Sequence, residues 1–190
     1  MRSWRMAPAS LSLLVCLSTS AMAGPIGIGV GGGLNLPIAQ DDAGSGFLYG
    51  ARLRIAVASF AALEPTLSYF RQGDAEVELH GQSVVLDGGQ STALGLNLIL
   101  GSVGPPGGMR VHGIIGLASH AMKQEGSDDE NRLAISLGPA LEARVGRNLT
   151  LSLEARIHMI SLGGGGARKN LGLSSGLVYY LGGQSRSGGR

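Results

Sequence analysis

The stretch "RLAISLGPALEARVGRNLTLSLEARIH", residues 132–158, contains two runs in which large apolar side chains occupy every second position. Odd-numbered positions hold mostly Leu and Ile, whereas even-numbered positions hold Ala, Ser, Gly, Thr, Glu, Arg and His. Alternation with a period of two is typical of β-strands whose two faces meet different surroundings. The segment "GRN", residues 146–148, separates the runs, so we predict two antiparallel strands joined by a short turn.

Six further segments alternate in the same way, which brings the number of predicted strands to eight. They are "IGIGVGGGLNL" (26–36), "FLYGARLRIAV" (47–57), "LEPTLSYF" (63–70), "ALGLNLIL" (93–100), "MRVHGIIGLASH" (109–120) and "LGLSSGLVYYL" (171–181). Evenly spaced strands with no helical period between them indicate an all-β protein.

The first segment also contains Gly27, Gly29 and Gly32, which have the Gly-x-Gly-x-x-Gly spacing of dinucleotide-binding proteins. That motif needs a strand before the glycines and a helix that begins at them and meets the phosphate. Here the glycines lie on a strand, and Pro37 begins a loop. We therefore expect no nucleotide and no other cofactor.

A cleavable signal peptide is predicted at residues 1–23. Arg2 and Arg5 precede the apolar run Leu11–Leu17, and Ala21-Met22-Ala23 forms a small-x-small cleavage site. The apolar run is shorter than the roughly 20 residues that a membrane-spanning helix needs. Cleavage would remove the only cysteine, so the exported chain would have no disulfide and would depend on packing and hydrogen bonds.

The charge content argues against a nucleic-acid partner. Two of the 15 Lys and Arg residues lie in the leader, and the rest equal the 13 acidic residues in number. No basic surface of the kind that binds phosphate backbones is therefore expected. Charged residues make up only 15% of the chain, whereas soluble domains usually carry about 25%.

The less apolar face of each strand is too poor in charge to coat a soluble barrel. It holds mainly small residues, which suit the crowded interior of an eight-stranded barrel. The opposite face carries no charge, as expected if it meets lipid, where Arg or Lys would cost about 2–4 kcal/mol at the midplane. We predict a structural network inside the barrel, with Glu142 or Glu154 paired to Arg144 or Arg156 on adjacent strands. Its candidate members are Arg52, Arg54, Glu64, Arg110, Glu142, Arg144, Glu154 and Arg156.

The connections between the segments alternate in length. The long ones are residues 37–46, 71–92, 121–131 and 160–169, and those between them are 58–62, "GSVGPPGGM" (101–109) and 146–148. Outer-membrane barrels have short periplasmic turns and longer external loops. Together with the strand pattern, this alternation predicts an eight-stranded antiparallel up-and-down transmembrane β-barrel. The connection around Pro105 and Pro106 is longer than a typical periplasmic turn.

With these features the chain resembles the small eight-stranded outer-membrane barrels of the OmpA/OmpX type over nearly all of residues 26–181. "ALEPTLSYF", the stretch 132–157 and "LGLSSGLVYYL" look like the third, the sixth-to-seventh and the last strands of that family. The resemblance implies an outer-membrane location, a barrel at 24–182 and a flexible tail at 183–190. Aromatic residues expected for the membrane-interface girdle are Phe47, Phe60, Tyr69, Phe70, Tyr179 and Tyr180.

Residues with catalytic or metal-binding chemistry are sparse, and we expect neither an active site nor a metal site. The four histidines, at positions 80, 112, 120 and 158, show no tight spacing with other ligands. Lipid A deacylases share the barrel architecture and use a His-x-Ser-Asn motif, but "HMIS", residues 158–161, places its serine one position too late.

The resemblance implies a monomeric, non-enzymatic protein with a filled lumen and a structural or surface-interaction role. Acidic loop residues suggest the hypothesis of divalent-cation-bridged contact with lipopolysaccharide or an extracellular partner, the preferred interpretation being that they only keep the loops solvated. They are Asp41, Asp42, Asp74, Glu76, Glu78, Asp87, Glu125, Asp128, Asp129 and Glu130. Residues 74–90 alternate again and predict a protruding hairpin with a turn near Gly81. The alternatives are a small porin-like channel or adhesin, a lipid A-modifying enzyme, and a soluble periplasmic lipocalin-like barrel.

Overall fold

The computed structural model describes residues 25–38, 44–79, 82–86, 89–103, 107–123, 130–162 and 166–181. The predicted signal peptide, the predicted tail, the turn at Gly81 and most of the acidic loop residues lie outside these ranges. The strands are β1 (Ile26–Pro37), β2 (Gly44–Ala58), β3 (Ala61–Gly73), β4 (Ala75–Leu79), β5 (Gln82–Leu86), β6 (Gln90–Leu100), β7 (Met109–Lys123), β8 (Glu130–Arg144), β9 (Leu149–Ser161) and β10 (Ala167–Leu181). Across these described ranges, no helix is long and apolar enough to cross a bilayer.

Eight of the strands form a closed barrel in the order β1-β10-β9-β8-β7-β6-β3-β2, and each neighbouring pair is antiparallel. β1 closes the barrel on β10 in an unbroken register from Ile26↔Leu181 to Pro37↔Asn170. Closure pairs the backbone groups of every strand and leaves no free barrel edge. The predicted eight-stranded up-and-down barrel is confirmed.

β4 and β5 form a separate two-stranded sheet in the connection between β3 and β6. Their register runs from Ala75↔Leu86 to Leu79↔Gln82, which confirms the predicted hairpin. At the end of the barrel that carries this hairpin, the barrel strands extend beyond the alternating segments. β10, for example, begins at Ala167 rather than Leu171, because ladder pairing continues past the apolar band where the sequence pattern stops.

The side chains on the two faces of the strands point in the predicted directions, with the apolar ones outside and the polar ones in the lumen. Leu96, Leu117 and Leu153 are exposed on the outside, whereas Glu64 and Glu142 are fully buried in the lumen. On the outer surface Phe47, Tyr49 and Tyr69 stack together, and the Tyr49 and Tyr69 ring centroids lie 5.0 Å apart.

The aromatic girdle differs from the prediction at two positions. Phe70 and Tyr180 are buried inside the barrel. Both residues lie at even-numbered positions of their strands, and the pleat turns those positions inward. The position of each residue in its paired strand therefore sets the direction of its side chain. A preference of aromatic rings for the membrane interface does not change that direction.

The barrel has two distinct ends. The short-turn end carries the connections β2–β3, β6–β7 and β8–β9, and the loop end carries the other four. The long β6–β7 connection folds back at the short-turn end, where the Gly101 N–H donates to the Phe60 carbonyl at 2.8 Å. Val103 then packs against an apolar cluster of Ala62, Ile99, Ile114 and Ala140. Val103 thus covers part of the apolar end of the lumen.

Candidate functional site

A balanced cluster of two arginines and two glutamates lies near the short-turn end of the lumen. Arg54 of β2 donates from Nε to Glu64 Oε2 of β3 at 2.8 Å. The same guanidinium reaches across the barrel to Glu142 of β8. Arg110 of β7 donates from Nε to the other Glu142 oxygen at 3.0 Å. Each carboxylate is therefore paired, as a buried charge requires.

Tyr180 of β10 completes the balanced cluster. Its hydroxyl oxygen lies 3.2 Å from Nη1 of Arg54 and 3.0 Å from Nη2 of Arg110, and accepts from both. The prediction placed this residue in the aromatic girdle and therefore missed its role beside the arginines. The Tyr180 hydroxyl is thus a common hydrogen-bond acceptor for the two guanidinium groups.

A second, arginine-rich cluster lies further towards the loop end and contains Arg52, Glu154 and Arg156. Arg52 of β2 pairs with Glu154 of β9, three strands away around the barrel. Arg156 lies 3.6 Å from the other oxygen of Glu154. Arg156 Nη2 also donates to Asn97 Oδ1 at 2.9 Å and to Ser136 Oγ at 2.6 Å.

Asn97 of β6 joins the two clusters. Its side-chain nitrogen donates to Glu64 Oε1 at 3.2 Å, while its oxygen accepts from Arg156. Asn97 and Ser136 were absent from the predicted set because an uncharged polar residue on an inward face gives no sign of its partners. With them the network draws on every strand of the barrel except β1.

Arg144 is a correction to the predicted network. It ends β8 at the short-turn end, is exposed, and donates to the carbonyl oxygens of Gly146 and Arg147 at 3.0 and 2.9 Å. It therefore braces the β8–β9 turn, because the strand ends before it can bring this side chain into the lumen. The expected pairing of Arg156 with a glutamate of an adjacent strand is also wrong, since Glu154 lies on the same strand.

Glycine makes room for the arginine-rich cluster. A Cβ added at Gly31 or Gly176 would lie 2.9 or 2.6 Å from Arg52 Nη2. β1 and β10 thus present bare backbone where the Arg52 guanidinium crosses to Glu154. Gly29 is close to the same side chain, since a Cβ there would lie 2.9 Å from Arg52 Cγ. The glycines of the dinucleotide-like motif all lie inside β1, which continues to Pro37.

The loop end of the lumen holds a phenyl ring and two imidazole rings. Phe70 contacts His120 and His158 with ring centroids 5.0 and 5.4 Å apart, and Ser91 Oγ lies 3.1 Å from His120 Nδ1. His158 is buried in the lumen whereas Ser161 is exposed on the outer face, so the "HMIS" residues do not converge. Within the described ranges, no group of three His, Cys, Asp or Glu residues could hold a metal.

A closed antiparallel barrel with an apolar outer surface and a polar lumen is the arrangement found in transmembrane β-barrels. The structure is similar to that of Neisserial surface protein A, with a TM-score of 0.60 and 12% identity over 82% of this chain and 97% of that one. It is also similar to a major outer membrane protein from Thermus thermophilus, with a TM-score of 0.54 and 13% identity over 83% of this chain and 98% of that one. The chain thus has the fold of the small eight-stranded outer-membrane barrels. No protein-family model and no curated protein sequence matches it.

Proposed function

We propose that this chain is a non-enzymatic protein of the outer membrane, with a plugged barrel that displays external loops. The distribution of charge carries this proposal. Seven charged side chains are gathered in the two lumen clusters, while the outward positions between the two rims hold no charge among the described residues. A surface of this kind is stable against acyl chains and unstable in water.

The loop end is proposed to face outward and to contact lipopolysaccharide. Arg71 and Lys169 are exposed on the outer face at this end, just beyond the apolar belt. Cations at that height lie where lipid phosphates would be, and the acidic loop residues could share bridging divalent cations with the same phosphates.

Cell fractionation combined with a heat-modifiability gel tests the location. The account predicts that the chain is recovered in the outer-membrane fraction and that its mobility on the gel changes after boiling. Recovery as a detergent-free monomer from the periplasm would instead favour the lipocalin-like alternative. Lipid A mass spectra from overexpressing cells are expected to be unchanged, and planar bilayers are expected to show no open-pore conductance.

A surface-interaction role is favoured by the β4–β5 hairpin. Within the described residues its two strands pair only with each other, and such an edge can accept a strand from a partner. Deleting residues 75–86 is expected to abolish attachment of expressing cells to partner surfaces while the barrel still folds. Undiminished attachment by the deletion variant would contradict this role.

A further inference from the structure

The aromatic residues that face outward at the loop end lie together on one side of the barrel. The chain has three Phe and four Tyr residues, all within the described ranges. Phe47, Tyr49 and Tyr69 form the stacked outer group on β2 and β3. The others lie in the lumen or at the short-turn end and are Phe60, Phe70, Tyr179 and Tyr180. An interface girdle surrounds a barrel, so this one-sided group indicates a local site.

The strand register arranges this side of the barrel in rows. Tyr49 is paired with Tyr69, and the row nearer the loops pairs Phe47 with Arg71 and Arg71 with Gln90. The Tyr69 hydroxyl donates to Gln90 Oε1 at 2.6 Å, so it points towards the loop end while the ring faces the apolar belt. The rows therefore pass from polar groups to aromatic rings within two residues of each strand.

Below these rings an apolar groove lies on the outer face. Ala51 is paired with Val30 and Leu67, and its small side chain leaves the groove open between them. Tyr49 and Tyr69 border the groove at its loop end. The groove has a volume of about 590 Å³, within the roughly 300–1,000 Å³ usual for ligand sites. Its shape and lining suit an acyl chain.

Arg71 supplies the charge that fits a phosphate. Its side chain is exposed on the outer face, beside Phe47 and one row above the tyrosines. A guanidinium can hold a phosphate through two parallel hydrogen bonds. The groove, the rings and the arginine thus follow one another along the strands in the order of acyl chain, interface and phosphate in a lipid.

We infer that this face is a binding site for one phosphorylated, multiply acylated glycolipid, the lipid A part of lipopolysaccharide. One acyl chain fills the groove, the exposed ring of Phe47 packs against the sugar, and Arg71 binds a phosphate. The inference rests on the proposed function, in which the loop end faces the outer leaflet. It narrows a general contact with lipopolysaccharide to one lipid held on β2 and β3.

Native mass spectrometry tests the site. The full barrel, folded in detergent, is titrated with bisphosphorylated lipid A and, separately, with phosphatidylglycerol, an anionic lipid without a sugar backbone. One lipid A per barrel is expected to stay bound at collision energies that remove phosphatidylglycerol. Equal retention of the two lipids, or no defined complex with lipid A, would overturn the inference.

Two variants separate the phosphate contact from the groove. Arg71→Gln removes the phosphate ligand and Ala51→Phe fills the groove, and each should weaken lipid A binding at least about tenfold. The matched controls are Arg147→Gln, at an exposed arginine of the short-turn end, and Ala155→Phe, at an outward position of β9. Both controls should bind lipid A as the parent chain does.

Unchanged binding by either test variant, or an equal loss in its control, would contradict the site. Such a result would leave the proposed function intact, because cell fractionation tests the outer-membrane location independently. Recovery of the chain from the periplasm would contradict the proposed function, whatever lipid the isolated barrel binds.

Discussion

At the scale of single residues, the direction of each side chain could be predicted but its partner could not. Alternation placed Glu142 and Arg54 inside because the pleat fixes the face of every second residue. Their pairing across the lumen depends on the diameter and stagger of the closed barrel, which no local pattern contains. Arg144 was misplaced for a related reason, since its position at the end of β8 decides its surroundings.

Replacing Glu142 by Gln tests the balanced cluster. The variant leaves Arg54 and Arg110 without their shared carboxylate, and breaking a buried pair in this way costs about 3–5 kcal/mol. The free energy of unfolding in detergent or vesicles should fall by that order. Arg144→Gln is the matched control, because this arginine is exposed and should change stability little. Equal stability of the two variants would argue against a structural role for the cluster.

Gly176→Ala tests whether glycine makes space for Arg52. The added Cβ would lie 2.6 Å from Arg52 Nη2 and 2.7 Å from the Val30 carbonyl oxygen, so overpacking should cost about 1–3 kcal/mol. Gly113→Ala is the control, because a Cβ there meets nothing within 4 Å. Chemical denaturation should show a loss only in the first variant, and an equal loss in both would point to a general effect of removing glycine.

At the scale of elements, the strand pattern was sufficient for the number and the faces of the strands. The ends of the strands were less predictable, because pairing at the loop end continues into residues that have water on both sides. The contact that Val103 makes after the end of β6 could not be predicted either. Packing of Val103 against the apolar end of the lumen is a long-range contact, and only the closed barrel brings these residues together.

Leu96→Arg tests the outer face of β6. Leu96 is half exposed and has only apolar or small neighbours at its outward register positions, Pro65 and Leu117. An arginine there should destabilise the barrel in lipid vesicles by about 2–4 kcal/mol, whereas Thr92→Arg, near the rim of the same strand, should cost about 0–1 kcal/mol. Denaturant titrations in vesicles measure both. No difference between the positions would mean that this face does not lie in the bilayer core.

At the scale of the whole molecule, closure of the barrel is linked to the separation of charged side chains from apolar ones. Between its two rims, a narrow barrel with an uncharged outer belt can hold charged side chains only in the lumen. The ion pairs of Arg52, Arg54 and Arg110 in the lumen join different strands. These crossing pairs hold the wall together from inside, in addition to the backbone ladder. The sequence showed this segregation everywhere except at Arg144, whereas the pairing of Arg52 with Glu154 across the lumen required the assembled barrel.

The most direct test of the central claim is fluorescence from a tryptophan placed on the outer belt. The only natural tryptophan, Trp4, precedes the barrel, so a Leu117→Trp variant produced from Gly24 onward carries a single reporter. In vesicles of lipids brominated along their acyl chains, this emission is predicted to be blue-shifted and strongly quenched, while a tryptophan at the exposed turn residue Ser59 is not. Emission from position 117 that is quenched by aqueous acrylamide and unaffected by brominated chains would contradict a lipid-facing apolar surface.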